Sequence, residues 1–241
     1  MHAPESVYIA FPFALAAPSF RLDLNGVACT PDEDQLDGAV RDFHPLRRWV
    51  DVSDEQGGVT VAPLDAPLVQ LGGINTGKAQ HKLEAEGPAV YSWALNNHWM
   101  VNFRAFQEGE IPLRYRLTTH AGPCDDAAAT RFAADVSTPA LVLRDWIRKD
   151  DASDRGQFVE VDDDGVELAL KLAEDGDGVI VRLHDQRGEA RSVSLRFASA
   201  RTVQPTSVVE IDEGAALDVD DRVATVALPA RGIVSLRVRA A

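Results

Sequence analysis

The stretch from Tyr91 to Gly109 gathers two Trp, two Phe, three Asn, a Gln and an Arg in a chain that is otherwise mostly aliphatic and Asp-rich. Aromatic rings stack on the apolar faces of sugars, and amide side chains exchange hydrogen bonds with hydroxyls. On that chemistry the candidate carbohydrate-binding residues are Trp93, Asn96, Asn97, His98, Trp99, Asn102, Arg104 and Gln107. The same alternation of Trp and Phe is also the pattern of strands that fill a core. In that case Asn96-Asn97 is simply the turn of a hairpin between Tyr91–Leu95 and Trp99–Phe106. Both readings stand on the residues alone.

Catalytic groups are not found by type and spacing. The histidines at 2, 44, 81, 98, 120 and 184 form none of the close pairs that hold zinc. No GxSxG elbow occurs. Gly72-Gly-Ile-Asn-Thr-Gly-Lys78 lacks the spacing, the Lys-Ser/Thr pair and the following helix of a phosphate loop. Glu174-Asp-Gly-Asp-Gly178 reads as a Gly-rich turn, because the further oxygen ligands of a calcium loop are missing. Cys29 and Cys124 have no metal-like spacing and are expected as free buried thiols, which makes a reducing cytoplasm the default compartment. No catalytic residue and no metal ligand is assigned.

The elements that must position these groups are β-strands. Residues 5–13 and 19–24 read as strands, with Pro12 marking an edge. The first of them is expected to be a strand rather than a signal-peptide core, since Met1–Glu5 has no Lys or Arg and carries the negative charge of Glu5. Residues 30–58 are rich in Asp, Gly and Pro and read as a long surface excursion that includes Trp49–Val52. Short strands resume at Val59–Pro63 and Pro67–Leu71, and Gly72–Pro88 reads as a polar loop. Pro112–His120 continues with Leu113, Tyr115 and Leu117 on one face. One short helix is expected near 124–135, acidic at its start and Ala-rich in its body, and Pro139–Leu143 follows as a further strand.

Seven of the residues from Arg148 to Asp164 are Asp or Glu, which marks a solvated linker. Beyond it, Val166, Leu168, Leu170 and Leu172 alternate with polar or small residues. Further strands are expected at 157–161, Val179–His184, around Val193–Phe197, and at Val208–Ile211, Val223–Leu228 and Ile233–Val238, the spacing of a small antiparallel sandwich. The expected domains are therefore 1–148, an acidic linker at 149–156, and 157–241. The net charge of −14, with Lys only at 78, 82, 149 and 171, argues against nucleic acid and against anionic membrane surfaces. No apolar run reaches membrane-spanning length.

Several stretches together resemble one family. They are Glu5–Phe13, Asp34–Gly38, Trp49–Ser53, Gly58–Leu68, Asn96–Phe103 with Gln107–Gly109, Arg114–Arg116 with His120, Ala173–Leu183 and Ile233–Arg237. In order and spacing they are similar to the C-terminal, non-catalytic β region of glycoside hydrolase family 38 α-mannosidases. The resemblance implies an all-β fold. Residues 1–148 would be the later half of a large galactose-mutarotase-like sandwich, and 157–241 the smaller sandwich that closes the polypeptide. In that family the zinc ion, its ligands and the Asp nucleophile belong to an N-terminal α/β domain, and no position here matches them. The expectation is a region that lacks the catalytic domain and is inactive alone. It would need no cofactor of its own, while zinc would sit in the missing domain.

What the family supplies to this chain is a supporting role, with Asn96–Gln107 as a wall of the sugar cleft. The expected partners are mannosides, a catalytic glycosidase domain, or a second copy meeting the incomplete sandwich. An independent carbohydrate-binding module and a purely structural interaction domain are the alternatives.

Overall fold

The computed structural model of the protein describes residues 4–75, 79–97, 107–142, 156–200 and 202–239. The chain divides into two compact units, 1–139 and 140–241. Of the linker expected at 149–156, all but Gly156 lies outside the described residues. No helix among the described residues is long and apolar enough to cross a membrane.

The first unit contains strands β1 (Ser6–Phe11), β2 (Ser19–Leu24), β3 (Val27–Cys29), β4 (His44–Pro45), β5 (Val50–Ser53), β6 (Gly57–Pro63), β7 (Leu68–Leu71), β8 (Val90–Asn96) and β9 (Tyr115–Ala121). They form a five-stranded antiparallel sheet in the order β3-β2-β5-β6-β9 and a four-stranded sheet in the order β1-β8-β7-β4. Alternation puts Phe20, Leu22, Val50, Val52 and Val61 on one face of the first sheet, where they join Val69, Leu71 and Val90 of the second in one core. Helix α1 (Asp126–Ser137) packs Ala129 and Ala133 against Trp49, Ala62 and Ala28. It starts where it does because the Asp125 carboxylate caps it, accepting from the Ala128 amide at 3.0 Å.

The excursion expected over 30–58 is not a surface feature at its end. Trp49, Val50 and Val52 are fully buried, and β5 lies in the middle of its sheet. The strand is four residues long and carries Asp51 at its centre, so it lacks an apolar signature. That carboxylate is itself buried, on the face away from the Val50 and Val52 side chains.

The second unit contains β10 (Val159–Val161), β11 (Val166–Leu172), β12 (Val179–Asp185), β13 (Arg191–Phe197), β14 (Thr202–Thr206), β15 (Val223–Leu228) and β16 (Ile233–Arg239). The sheets run β10-β13-β15 and β11-β12-β16-β14. Val181, Leu183, Leu236 and Val238 meet Val193, Leu195, Phe197, Val226 and Leu228 in the core. The β11–β12 turn ends at Gly178, whose φ is +95° and where a Cβ would lie 2.5 Å from the Val238 carbonyl oxygen. The edge at β14 is closed: Val203 and Pro205 carbonyls accept from the Leu217 and Glu213 amides at 2.8 Å each, and Pro205 has no N–H to offer.

Two expected strands are absent. Val208–Ile211 forms a turn, and the strand is Thr202–Thr206 instead. Glu210 adopts φ +67° and turns its carboxylate inward to the Lys171 ammonium at 2.6 Å and the Glu174 amide at 2.8 Å. Its apolar neighbours Val208, Val209 and Ile211 consequently face solvent. Residues 139–142 carry no strand, and Leu141 and Val142 are exposed; Leu143 lies outside the described residues.

Candidate functional site

Strand β8 turns Val90 and Ser92 toward the core and Tyr91, Trp93 and Leu95 toward the outer face of the four-stranded sheet. Its neighbour β1 places Tyr8 opposite Trp93, with a bulge between Val7 and Tyr8 that sends both side chains outward. The Tyr8 and Trp93 rings stack with centroids 5.7 Å apart and planes 14° from parallel. Phe43, just before β4, stands 5.6 Å from Trp93 at 67°. One face of the indole is therefore occupied by protein. The Trp93 Nε1–H is buried and has no hydrogen-bond acceptor among the described residues. Burial pushes the Tyr8 hydroxyl up, and Ser6 pulls it partly back. Val7 and Leu95, each 45% exposed, extend the apolar surface beside the rings.

The amides behave differently from one another. Asn96 ends β8 opposite Ser6. Asn97 donates its backbone N–H to the Glu5 carbonyl at 3.0 Å and accepts from the Glu5 amide through its side chain. It extends the β1–β8 ladder, so its side chain is spent on the backbone. Gln107 is exposed. His98, Trp99, Asn102 and Arg104, and with them the second arm of the expected hairpin, lie outside the described residues.

Next to the aromatic ladder, Gln70 stands opposite Tyr91 and is 2% exposed. Its amide donates to the Asn75 carbonyl at 2.8 Å and accepts from the Asn75 N–H at 3.1 Å, holding the loop after β7. A polar hollow of about 80 Å³ opens there, lined by Arg41, Asp42, Gln70, Asn75, Gln80 and Glu86 among others. Arg41 donates to Asp32 at 3.0 Å and to the Ala39 and Leu36 carbonyls at 2.6 and 3.2 Å. Its guanidinium ties loops together rather than facing a ligand.

On the helix-covered face of the other sheet, Asp51 accepts from Thr60 Oγ1 at 2.6 Å and faces His120 Nε2 at 2.8 Å. Ser53 accepts from the Cys124 amide at 3.2 Å, and Arg21 binds Asp126. Burial foremost, then the carboxylates of Asp51 and Asp126, push the Cys124 thiol far above its ordinary range. It stays a neutral thiol and is no nucleophile. In the second unit, Asp175 and Asp177 pair with Arg237 and Arg239, each at 2.8 Å, which accounts for the acidic turn. Among the described residues, no three His, Cys, Asp or Glu side chains stand where they could hold a metal ion.

Residues 166–236 match the family model for the glycosyl hydrolases family 38 C-terminal beta sandwich domain. Over those residues the second unit is similar to the family 38 C-terminal β-sandwich. The fold of nearly the whole chain matches two solved structures. One is an alpha-mannosidase from Enterococcus faecalis V583, at TM-score 0.67 and 17% identity over 96% of this chain. The other is a glycosyl hydrolase family 38 protein from Enterococcus faecalis, at TM-score 0.66, 16% identity and the same 96% coverage. This chain spans only 25% and 26% of those two chains. No curated protein matches it in sequence.

The likeness to the family 38 sandwich was thus legible from scattered stretches, while the neighbours of Trp93 were not. Tyr8 and Phe43 lie 85 and 50 positions before it, and only the strand order brings them together. Pairing of the first predicted strand with the Tyr91–Leu95 strand was the one signal able to place Tyr8. For Gln70 the signal was weaker still: an amide inside an otherwise apolar strand.

Proposed function

We propose that the chain is the C-terminal accessory region of an α-mannosidase-like glycoside hydrolase, working beside a zinc-dependent catalytic domain supplied from outside the residues described. The observation that carries this reading is the fold match, which takes in 96% of this chain and a quarter of a mannosidase. Two features of the first unit support it. Phe11 on β1 and Tyr115 on β9 touch at 5.1 Å, so the outermost strands of both sheets lie on the same side. Among the described residues no strand lies beyond either, and Leu117 on β9 is 48% exposed. That is the form of a sandwich whose two sheets continue into a further portion, as in the later half of a mutarotase-like domain spanning 1–148. Residues 157–241 then serve as the closing sandwich after the acidic linker. In this reading Asn96 at the end of β8, and the stretch from it to Gln107, wall a sugar cleft held by the partner domain. The two free cysteines suit a reducing, cytoplasmic setting.

The test uses the protein from its own cells. Antiserum raised against this chain should recover α-mannosidase activity and stoichiometric zinc, in one polypeptide or in a tight complex. Recovery of the chain by itself, with neither activity nor zinc, overturns the reading.

A further inference from the structure

Strand β11 is the outer strand of its four-stranded sheet. Two bonds fix which of its backbone groups are used. Ala173 donates to the Gly178 carbonyl at 3.0 Å, and Gln186 donates to the Gly165 carbonyl at 2.9 Å. Bonded pairs alternate along an antiparallel ladder, so Glu167, Ala169 and Lys171 also bond to β12. Val166, Leu168, Leu170 and Leu172 must then turn their N–H and C=O groups away from β12, toward an edge that no strand among the described residues covers. The same four residues carry the aliphatic side chains on the core face, with Leu168 and Leu170 opposite the fully buried Leu183 and Val181. Leu170 is nevertheless 47% exposed and Leu172 77% exposed.

Exposed edges are ordinarily blunted by proline, bulges or short length. The opposite edge of this sheet, at β14, is closed in that manner. Along β11 there is no such device: seven residues pair with β12 without a break in register. Its one lysine, Lys171, is tied to Glu174 at 2.5 Å and Glu210 at 2.6 Å.

We infer that the β11 edge receives an extended segment of another polypeptide as an added strand, apolar at alternate positions and basic between them. Only an extended backbone meets donors and acceptors presented at every second residue. Alternate apolar side chains would cover Leu170 and Leu172. Basic residues between them would face Glu167 on the other side of the sheet, at the end of β11 away from Lys171. A second copy of this chain is the poorer occupant, because each carries a net charge of −14. This inference is independent of the proposed glycosidase role.

Amide hydrogen exchange on the full chain tests it, with a short synthetic peptide alternating leucine and arginine as the probe. The amides of Val166, Leu168, Leu170 and Leu172 should exchange freely without peptide and slow by about tenfold or more with it. Those of Glu167, Ala169 and Lys171 should be protected throughout. Leu172→Lys should weaken peptide binding several-fold while leaving the melting temperature unchanged, since that side chain is 77% exposed. Four outcomes overturn the inference: no slowing with peptide; protection of the four amides in the dilute, peptide-free chain; protection that grows with protein concentration alongside a dimer in sedimentation; or equal slowing by a peptide of the same composition interrupted by prolines.

Discussion

The carboxylate of Asp185 accepts the Arg231 backbone N–H at 2.7 Å, joining the turn after β12 to the turn before β16. The same side chain accepts from the amides of Arg187, Gly188 and Glu189 at 3.0, 2.7 and 3.1 Å and from the Arg191 guanidinium. One buried charge thereby organises two turns of the small sandwich.

Removing that charge should cost more than any surface substitution. Asp185→Ala leaves four amides without their acceptor and takes from Arg191 one of its two carboxylates, an expected loss of about 3–5 kcal/mol. Urea unfolding of the full chain measures it. Burial alone would raise this carboxyl's pKa, but the bonds from Arg191 and the turn amides outweigh burial and hold it below 3.8. The unfolded chain therefore binds the proton first. The contribution is complete above the ordinary aspartate range and is lost only as the pH falls below it.

His44 titrates in a different window. It lies on β4 within the four-stranded sheet, and burial, assisted by Arg41, lowers its pKa from 6.5 to about 4. Here too the unfolded chain takes the proton first, but between pH 6.5 and 4. Stability should fall by about 2 kcal/mol between pH 7 and pH 5 on this account. His44→Gln should flatten that part of the pH profile of unfolding free energy. An unchanged slope would show that another group carries the acid sensitivity.

Gly58 leaves room for the Asp51–His120 pair. A Cβ there would lie 2.4 Å from Ser53 Cβ and 2.7 Å from His120 Cε1. Gly58→Ala should displace the imidazole and destabilise by about 1–3 kcal/mol. His120→Ala, which leaves the buried Asp51 without its imidazole partner, should cost more. Because both changes act on the same pair, the double variant should fall short of the sum in a thermal-melt comparison.

Trp93 gives the sugar question a direct readout. With Tyr8 against one face of the indole, Trp93→Ala should cost about 2–3 kcal/mol in lost packing. The unaltered chain should give no calorimetric heat with mannose oligosaccharides in the absence of a partner domain. Saturable heat that Trp93→Ala abolishes would instead make the chain a carbohydrate-binding module in its own right.

Which parts of the fold could be read from residue order follows from how local their physics is. Val166–Leu172 alternates cleanly and ends at glycines, so both β11 and its turn were legible. The helix announced itself through Asp125 and its alanines. β5 was not legible, because Asp51 Oδ2 is held by Thr60 and His120 from two other strands, and no local pattern records that. Val208–Ile211 misled for the opposite reason: its aliphatic residues suggest a strand, while Glu210 alone turns the backbone toward Lys171. At the candidate site Trp93 and the amides were visible in one stretch, but the use of Asn97 on Glu5 and the stacking of Tyr8 depend on a strand paired from far away in the chain.

Pro205 has one further meaning. A sheet with two receptive edges is bifunctional: each copy can accept a neighbour on one side and offer itself on the other, and growth has no end. The β11-β12-β16-β14 sheet is monofunctional. Its β14 side has no free amide at Pro205, and the outward carbonyls of Val203 and Pro205 are already engaged. Whatever strand joins at β11, this sheet has no opposite edge from which to pass the addition on, so it acts as a chain terminator rather than a link.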